Sequence, residues 1–117
     1  MSLESQLFTV LQAVCPRTYP DFAPATTVRP YVTYQQIGGE AVNFVDRLVP
    51  NKRNARMQIN VWADTRASAT TTMQAIEDAI RMSTVFQAEP ESAMHCDFDA
   101  DMPVYAAMQD YNIWADR

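Results

Sequence analysis

Apolar residues recur at helical spacing in two stretches of the chain. Between Ser2 and Val14 they lie three or four positions apart, which predicts an amphipathic helix with Ser2 as its N-cap. Pro16 is expected to end that helix, because proline disfavours a helical backbone in the residue before it. A second helix is predicted from Arg66 to Ser83, after an N-cap in Asp64-Thr65. Its expected buried stripe is Ala69, Met73, Ile76 and Ile80.

Four further segments show alternating apolar residues or runs of aromatic and β-branched residues, and each is predicted to be a strand. They are Tyr31–Ile37, Arg56–Ala63, Met94–Phe98 and Val104 to about Trp114. The element order is therefore α-β-β-α-β-β. Short connections favour antiparallel pairing, and both helices can cover the same side of the sheet. The sequence thus predicts an α+β fold: an antiparallel sheet of four to five strands, with two helices packed on one face.

Two segments between these elements lack a clear period. Residues 16–30 are rich in proline and are predicted to form an extended loop. Residues 38–55 begin with the only two glycines, Gly38 and Gly39, and then mix apolar with charged residues. This segment is predicted to be a long hairpin arm that is poorly ordered in an isolated subunit. A loop of that length in a small domain usually has a function or is mobile.

The two longest strands each carry a tryptophan on their polar side. Trp62 shares its side with Gln58 and Asn60, whereas Trp114 shares its side with Asp110 and Asn112. Aromatic residues among neutral polar groups are typical of protein–protein interfaces. The candidate interface is therefore Gln58, Asn60, Trp62, Asp110, Asn112 and Trp114. The alternative is that the tryptophans cap the sheet edge or pack under the arm.

The chain has 117 residues, which predicts one domain over residues 1–117, and a net charge of -5. Residues 1–66 hold seven basic and five acidic side chains, a net +2, whereas residues 67–117 hold two basic and nine acidic ones, a net -7. Copies of the chain could pair these patches head to tail, or folding could interleave the halves and erase the asymmetry. The acidic total disfavours nonspecific nucleic-acid binding. No apolar run approaches membrane-spanning length, so no membrane partner is expected.

The sequence predicts no catalytic residue, no cofactor and no metal site. His95 and Cys96 are adjacent, so on a strand they point to opposite faces and cannot form a catalytic pair. Residues 97–101 resemble the start of a calcium loop, but Met102 and Met108 occupy the positions that need glycine and glutamate. Cys15 and Cys96 match no zinc spacing and are expected to be reduced. No nucleotide-binding or hydrolase motif is present.

Several segments together carry a resemblance to a known family. They are the N-terminal helix beginning at Ser2, the Tyr19-Pro20 loop, Pro30 to Gln35, Arg56 to Thr65 followed by a helix, and Tyr111 to Trp114. On these the chain resembles the tail-completion, or tail-terminator, proteins of long-tailed phages and prophages, small proteins once classed as a domain of unknown function. It departs from them in the arm, which in that family is often a shorter, glycine-containing turn.

The resemblance implies a virion assembly protein that acts as a structural, homo-oligomeric ring, commonly a hexamer, with no enzymatic activity. Such a ring caps the tail tube, ends its polymerisation and offers a surface to the head–tail connector protein. The expected partners are therefore other copies of the chain, the tail tube protein and the connector. The expected locations are the virion tail and, during assembly, the host cytoplasm.

One basic cluster is a candidate for contacts made by the arm. It consists of Arg47, Lys52, Arg53 and Arg56. These residues could be solvated, could meet an acidic neighbour, or could face DNA in the ring lumen, the only DNA contact expected. A solvated cluster is the first expectation and protein contact the second; DNA contact ranks third, because no aromatic residues are interleaved with the basic ones.

Two other functions stay open at this point. One is a head–tail connector or minor tail component, which the neighbouring genes would distinguish, since a terminator gene characteristically precedes the tail tube gene. The other is a small cytoplasmic enzyme that uses Cys96 or His95. Activity that survived substitution of both residues would remove the basis for the enzyme.

Overall fold

A computed structural model describes residues 2–117 of the chain. It contains two helices and six strands in the order α-β-β-β-α-β-β-β. They are α1 (Leu3–Val14), β1 (Thr18–Pro20), β2 (Tyr31–Gly38), β3 (Lys52–Ala63), α2 (Arg66–Met82), β4 (Gln87–Pro90), β5 (His95–Asp99) and β6 (Val104–Asp116). The α+β class predicted from the sequence is confirmed, as is the position of both helices.

The six strands form one mixed sheet with β3 and β6 at its centre. The order across the sheet is β1-β2-β3-β6, and both β4 and β5 pair with the far side of β6. β1 is parallel to β2, and every other pair is antiparallel. β4 pairs with the C-terminal half of β6 and β5 with its N-terminal half, so the two follow one another along a single edge.

The prediction missed β1 and β4. β1 lies in the proline-rich segment, and β4 lies in what was expected to be a loop around Pro90. Each strand has only three or four residues and ends in a proline, so neither shows a period of its own. Both are held by pairing with a longer strand that is distant in sequence. The sheet therefore has six strands rather than four to five, and it is not purely antiparallel.

Both helix starts follow the predicted capping. The Ser2 hydroxyl accepts a hydrogen bond from the Ser5 N–H at 3.2 Å, and the Thr65 hydroxyl accepts one from the Ser68 N–H at 3.1 Å. The predicted stripe of α2, Ala69, Met73, Ile76 and Ile80, is buried in full. Neither helix within residues 2–117 combines the length and the apolar character needed to cross a bilayer.

The core lies between the helices and one face of the sheet. Alternate residues of β3 are fully buried there, and the side chains of α1 pack against the same layer. The fully buried aliphatic and methionine members include Leu3, Leu7, Leu11, Val32, Met57, Ile59, Val61 and Ile113. Removing this much apolar surface from water is the main stabilising term for a chain of this size.

A network of hydrogen-bonded polar side chains lies between β6 and α2. The Tyr111 hydroxyl donates to Gln109 Oε1 at 2.6 Å, and Gln109 Nε2 donates to Glu77 Oε1 at 2.8 Å and to the Ser92 carbonyl at 2.9 Å. Both Tyr111 and Gln109 are buried. The Gln109 amide, and after it the Arg81 guanidinium, lower the pKa of Glu77 below its ordinary value of 4.5. The network therefore favours an ionised Glu77.

Because of the Glu77 contact, the stability of the fold should decrease at acidic pH. A carboxyl whose pKa is lowered by folding contributes stability that is complete above its unfolded pKa, about 4.5, and is lost as the pH falls through the folded pKa. We expect Glu77→Gln to reduce the loss of melting temperature below pH 4.5. Thermal unfolding between pH 3 and 7 measures this. Glu89→Gln, at an exposed position whose side chain makes no hydrogen bond within residues 2–117, is the matched control. An unchanged dependence of melting temperature on acid pH in Glu77→Gln would contradict the assignment.

Candidate protein–protein interface

The face of the sheet opposite the helices carries no secondary-structure element among residues 2–117. We call it the open face. It presents the even-numbered residues of β3 and β6, because side chains alternate along a strand and the odd-numbered ones enter the core. All six candidate interface residues, Gln58, Asn60, Trp62, Asp110, Asn112 and Trp114, belong to it. The prediction that both tryptophans avoid the helix-covered side is confirmed by this burial pattern.

The six residues form one continuous band across the open face. Gln58 is the register partner of Asp110, so the group on β3 and the group on β6 meet at mid-sheet. From that point the band runs to Trp62 at one end and to Trp114 at the other. The partner of Trp62 on β6 is Ala106, which places the two indoles roughly 27 Å apart at about 3.4 Å per strand residue. The tryptophans therefore mark the two ends of the band.

Trp62 is held within its own subunit. Its indole N–H donates to the Thr33 hydroxyl at 3.1 Å, and its ring stacks on Tyr31 with centroids 6.4 Å apart. Asn60 Nδ2 donates to the same hydroxyl at 3.4 Å, while Asn60 Oδ1 is buried without a hydrogen-bond partner in the described residues. This end of the band is already rigid, which lowers the entropy cost of a contact there.

Trp114 has a different setting. It is half-buried and lines a shallow groove together with Gln87, Ala88 and Glu89 of β4 and with Asn112. No hydrogen bond to its indole N–H is found within residues 2–117. A large aromatic with a free donor, set in an open groove with polar walls, is the kind of side chain that anchors an interface. Sequence reasoning found Trp114 but missed β4, the strand that forms the wall of its groove.

The arm connects β2 to β3 and is shorter than predicted. β2 continues through Gly38 and β3 begins at Lys52, so the arm comprises residues 39–51 rather than 38–55. Its root is closely fitted to the sheet: a Cβ at Gly39 would lie 2.7 Å from the Asn54 carbonyl oxygen. At its other end the Arg117 N–H donates to the Asn51 carbonyl at 2.9 Å. The arm thus leaves the sheet where β6 ends.

Asn54 fixes the arm root, a role that the sequence did not reveal. It is buried, accepts a hydrogen bond from the Glu40 N–H at 2.8 Å and donates to the Ile113 carbonyl at 3.2 Å. One side chain therefore joins the arm, β3 and β6. The signal available in the sequence was a neutral amide inside the basic run from Lys52 to Arg56.

Of the predicted basic contacts, only Arg47 lies in the arm. Lys52, Arg53 and Arg56 belong to β3. Lys52 pairs with Asp116, and Arg56 Nε lies 2.8 Å from Glu91 Oε2. Arg53 donates to Gln36 Oε1, a neutral group, at 2.7 Å. Arg47 and Arg53 are therefore the members of the cluster that have no carboxylate partner in the described residues.

The opposite end of the sheet carries three acidic residues: Asp97 and Asp99 on β5, and Asp101 on the turn between β5 and β6. Asp99 Oδ1 accepts hydrogen bonds from the N–H groups of Asp101 and Met102, which stabilises the turn. Within residues 2–117 no basic side chain pairs with these three carboxylates, and no group of three or more histidine, cysteine or acidic residues is arranged to hold a metal ion.

Charge asymmetry survives folding only in part. β3 from the basic half pairs along its length with β6 from the acidic half, so the centre of the sheet is interleaved. Within residues 2–117, the charges without an ion-pair partner include Arg47 and Arg53 near the arm, the three aspartates near the β5–β6 turn, and Asp110 at mid-sheet. Cys15 is buried beside Pro30 at the end of α1, whereas His95 lies on β5 at a position facing the open face. The fold therefore does not bring Cys15 and His95 together as a thiol–imidazole pair.

An α+β domain with one covered face, one open face and a projecting arm is suited to assembling with other proteins. The chain belongs to the tail completion protein gp17 family, whose model matches residues 4–116. It is accordingly a phage tail structural protein. Its fold is also similar to a chain from the virion of a native gene transfer agent particle, with a TM-score of 0.65 and 14% identity over 99% of this chain and 96% of that one. Comparison with curated proteins gave no significant match.

Proposed function

We propose that the protein is a tail terminator: identical copies form a closed ring, expected to be a hexamer, on the head-proximal end of the tail tube. One side of the ring binds the tube protein and stops further addition, and the other side receives the head–tail connector. DNA would pass through the lumen. The protein would act in the virion tail after assembly in the host cytoplasm.

The observation that carries this proposal is the band on the open face together with the arm beside it. A soluble monomer gains little by holding two tryptophans and a run of amides on a face that no helix covers. The band ends at Trp114, and the arm leaves the sheet at that same end. Two surfaces available for partners are therefore continuous with each other.

The subunit is also asymmetric in a way that suits a ring. Within residues 2–117, Arg47 and Arg53 at one end of β3, and Asp97, Asp99 and Asp101 beside its other end, have no ion-pair partner. An interface between unlike ends is heterologous, and it produces a closed ring when the rotation between copies completes a circle. A closed ring leaves no free end, which is what a protein that stops polymerisation requires.

The proposal is tested on growing tail tubes. Tail tube protein is polymerised with and without a substoichiometric amount of this chain, and tube lengths and ends are measured by negative-stain microscopy. We expect shorter tubes with a ring at one end. Light scattering at high and low concentration measures assembly of the chain alone.

The effect of the protein on tail tubes decides between the outcomes. A protein that stays monomeric in solution but forms rings on tubes is consistent with the proposal, since the tube can template the ring. A strict monomer that neither binds tubes nor changes their length would contradict it.

A further inference from the structure

The tip of the arm has almost no partners in its own subunit. Between residues 41 and 49 the structure contains one backbone hydrogen bond, from the Arg47 N–H to the Phe44 carbonyl at 3.3 Å. The root is fixed by Gly39, Asn54 and Arg117, as described above. A segment with a fixed root and unpaired peptide groups presents donors and acceptors to whatever lies beside it.

The same tip exposes large apolar side chains. Val45 is fully exposed, and Val49, Leu48 and Phe44 are exposed to 78%, 64% and 50%. Four such residues within six positions are costly in water and unusual in a charged loop. In the isolated subunit the arm tip thus has backbone groups without hydrogen-bond partners in residues 2–117 and apolar side chains that are exposed to water.

The edge strand β5 offers backbone groups and an aromatic side chain that could pair with those of the arm tip. In the part of the chain that the structure describes, β5 pairs only with β6, so its other side is an open edge. Phe98 on this strand is 42% exposed and packs on Tyr105 with ring centroids 4.6 Å apart. The Phe98 N–H donates to the carboxylate of Asp97 at 2.8 Å, an exposed contact that an incoming strand can replace. The edge therefore combines free backbone with an exposed aromatic.

The other two edge strands, β1 and β4, are less suitable for pairing with an added strand. β1 has three residues and ends in Pro20, which has no N–H to donate. β4 has four residues, ends in Pro90, and is followed by Glu91, whose carboxylate is already paired with Arg56. β5 is longer than either and contains no proline.

Charge favours one partner for the arm. Arg47 in the arm, which also carries Glu40 and Asp46, and Arg53 at the start of β3 have no carboxylate partner within residues 2–117, and Asp97, Asp99 and Asp101 at the β5 end have no basic partner there. The two sets cannot meet within one chain, because β3 runs from Lys52, beside the arm, to Ala63, whose partner Tyr105 lies next to β5. They can meet between copies. The complementary surface for the arm is therefore a second copy of this chain.

We infer that the arm of one copy docks along the β5 edge of the next and adds a strand to its sheet. Because adjacent side chains of a strand point to opposite faces, either Phe44 or Val45 of the arm covers Phe98, and Arg47 and Arg53 approach Asp97 and its neighbours. This inference rests on the proposed ring, and it names the contact that joins successive subunits.

Disulfide trapping between differently tagged copies tests the contact. All variants carry Cys96→Ser, which removes the nearby native thiol. One copy carries Val42→Cys, Phe44→Cys or Val45→Cys, so that several side-chain directions of the arm are sampled, and the other carries Phe98→Cys. After mixing, assembly and mild oxidation, we expect heterodimers on non-reducing gels for at least one arm position. Val28→Cys, an exposed valine outside the arm, is the matched control and should give none.

A charge exchange gives a second readout. Arg47→Glu and Asp97→Arg should each weaken assembly about tenfold, and mixing the two variants should restore it, whereas Asp78→Arg on α2 should have no effect. Rings that form without any trapping of arm to edge would overturn this inference and leave the terminator function standing. Failure to form rings in solution or on tubes would contradict the terminator function, and this inference with it.

Discussion

Replacing Tyr111 with alanine is expected to lower the free energy of unfolding by roughly 4 kcal/mol. Tyr111 is fully buried in the middle of β6, where its ring fills the layer between the sheet and α2. The substitution leaves a cavity and also removes the hydroxyl that bonds to Gln109, a buried side chain. For a small domain this loss is a large share of its total stability. Urea unfolding followed by circular dichroism measures the change.

Tyr111→Phe separates the two contributions. It retains the ring and removes only the hydrogen bond to Gln109, so we expect a loss of about 1–2 kcal/mol. Burial raises the pKa of Tyr111, so its hydroxyl remains protonated as a donor throughout the neutral range. If Tyr111→Phe were as destabilising as Tyr111→Ala, the ring packing described for β6 would be wrong.

Replacing Trp114 with alanine should affect assembly far more than folding. The side chain is half-buried at the end of the open-face band, so its loss is expected to cost the monomer only about 1 kcal/mol. As an interface anchor, however, it should contribute 2 kcal/mol or more, which corresponds to a weakening of about thirtyfold or greater. Ring formation and tube capping measured by light scattering and microscopy give the effect on assembly, and thermal unfolding gives the effect on folding.

Phe22→Ala is the control for Trp114→Ala. Phe22 is also a large aromatic, 80% exposed, but it lies in the proline-rich segment away from the band. It should assemble as the wild type does. If Trp114→Ala also assembled normally, this end of the open face would not be an interface, and the groove beside β4 would need another explanation.

The sequence predicted most of the local structure because local structure depends on near neighbours. The stripe Ala69, Met73, Ile76 and Ile80 is buried as expected, since helical spacing fixes which residues share a side. The Thr65 cap was predictable because it needs only a hydroxyl side chain directly before the first helical residue. β1 and β4 escaped prediction because three or four residues ending in proline have no period, and their pairing is decided by strands far away in sequence.

For the candidate interface, the alternation along β3 and β6 determined that Trp62 and Trp114 avoid the core. Only the tertiary structure decided that they lie at opposite ends of one band, because that depends on the register between strands that are about fifty residues apart in the chain. The same holds for charge: the sequence showed two halves of opposite sign, and folding paired Lys52 with Asp116 and Arg56 with Glu91 while leaving Arg47, Arg53 and the β5–β6 aspartates without ion-pair partners in the described residues. Composition and periodicity act along the chain, whereas register and pairing depend on which distant segments come into contact.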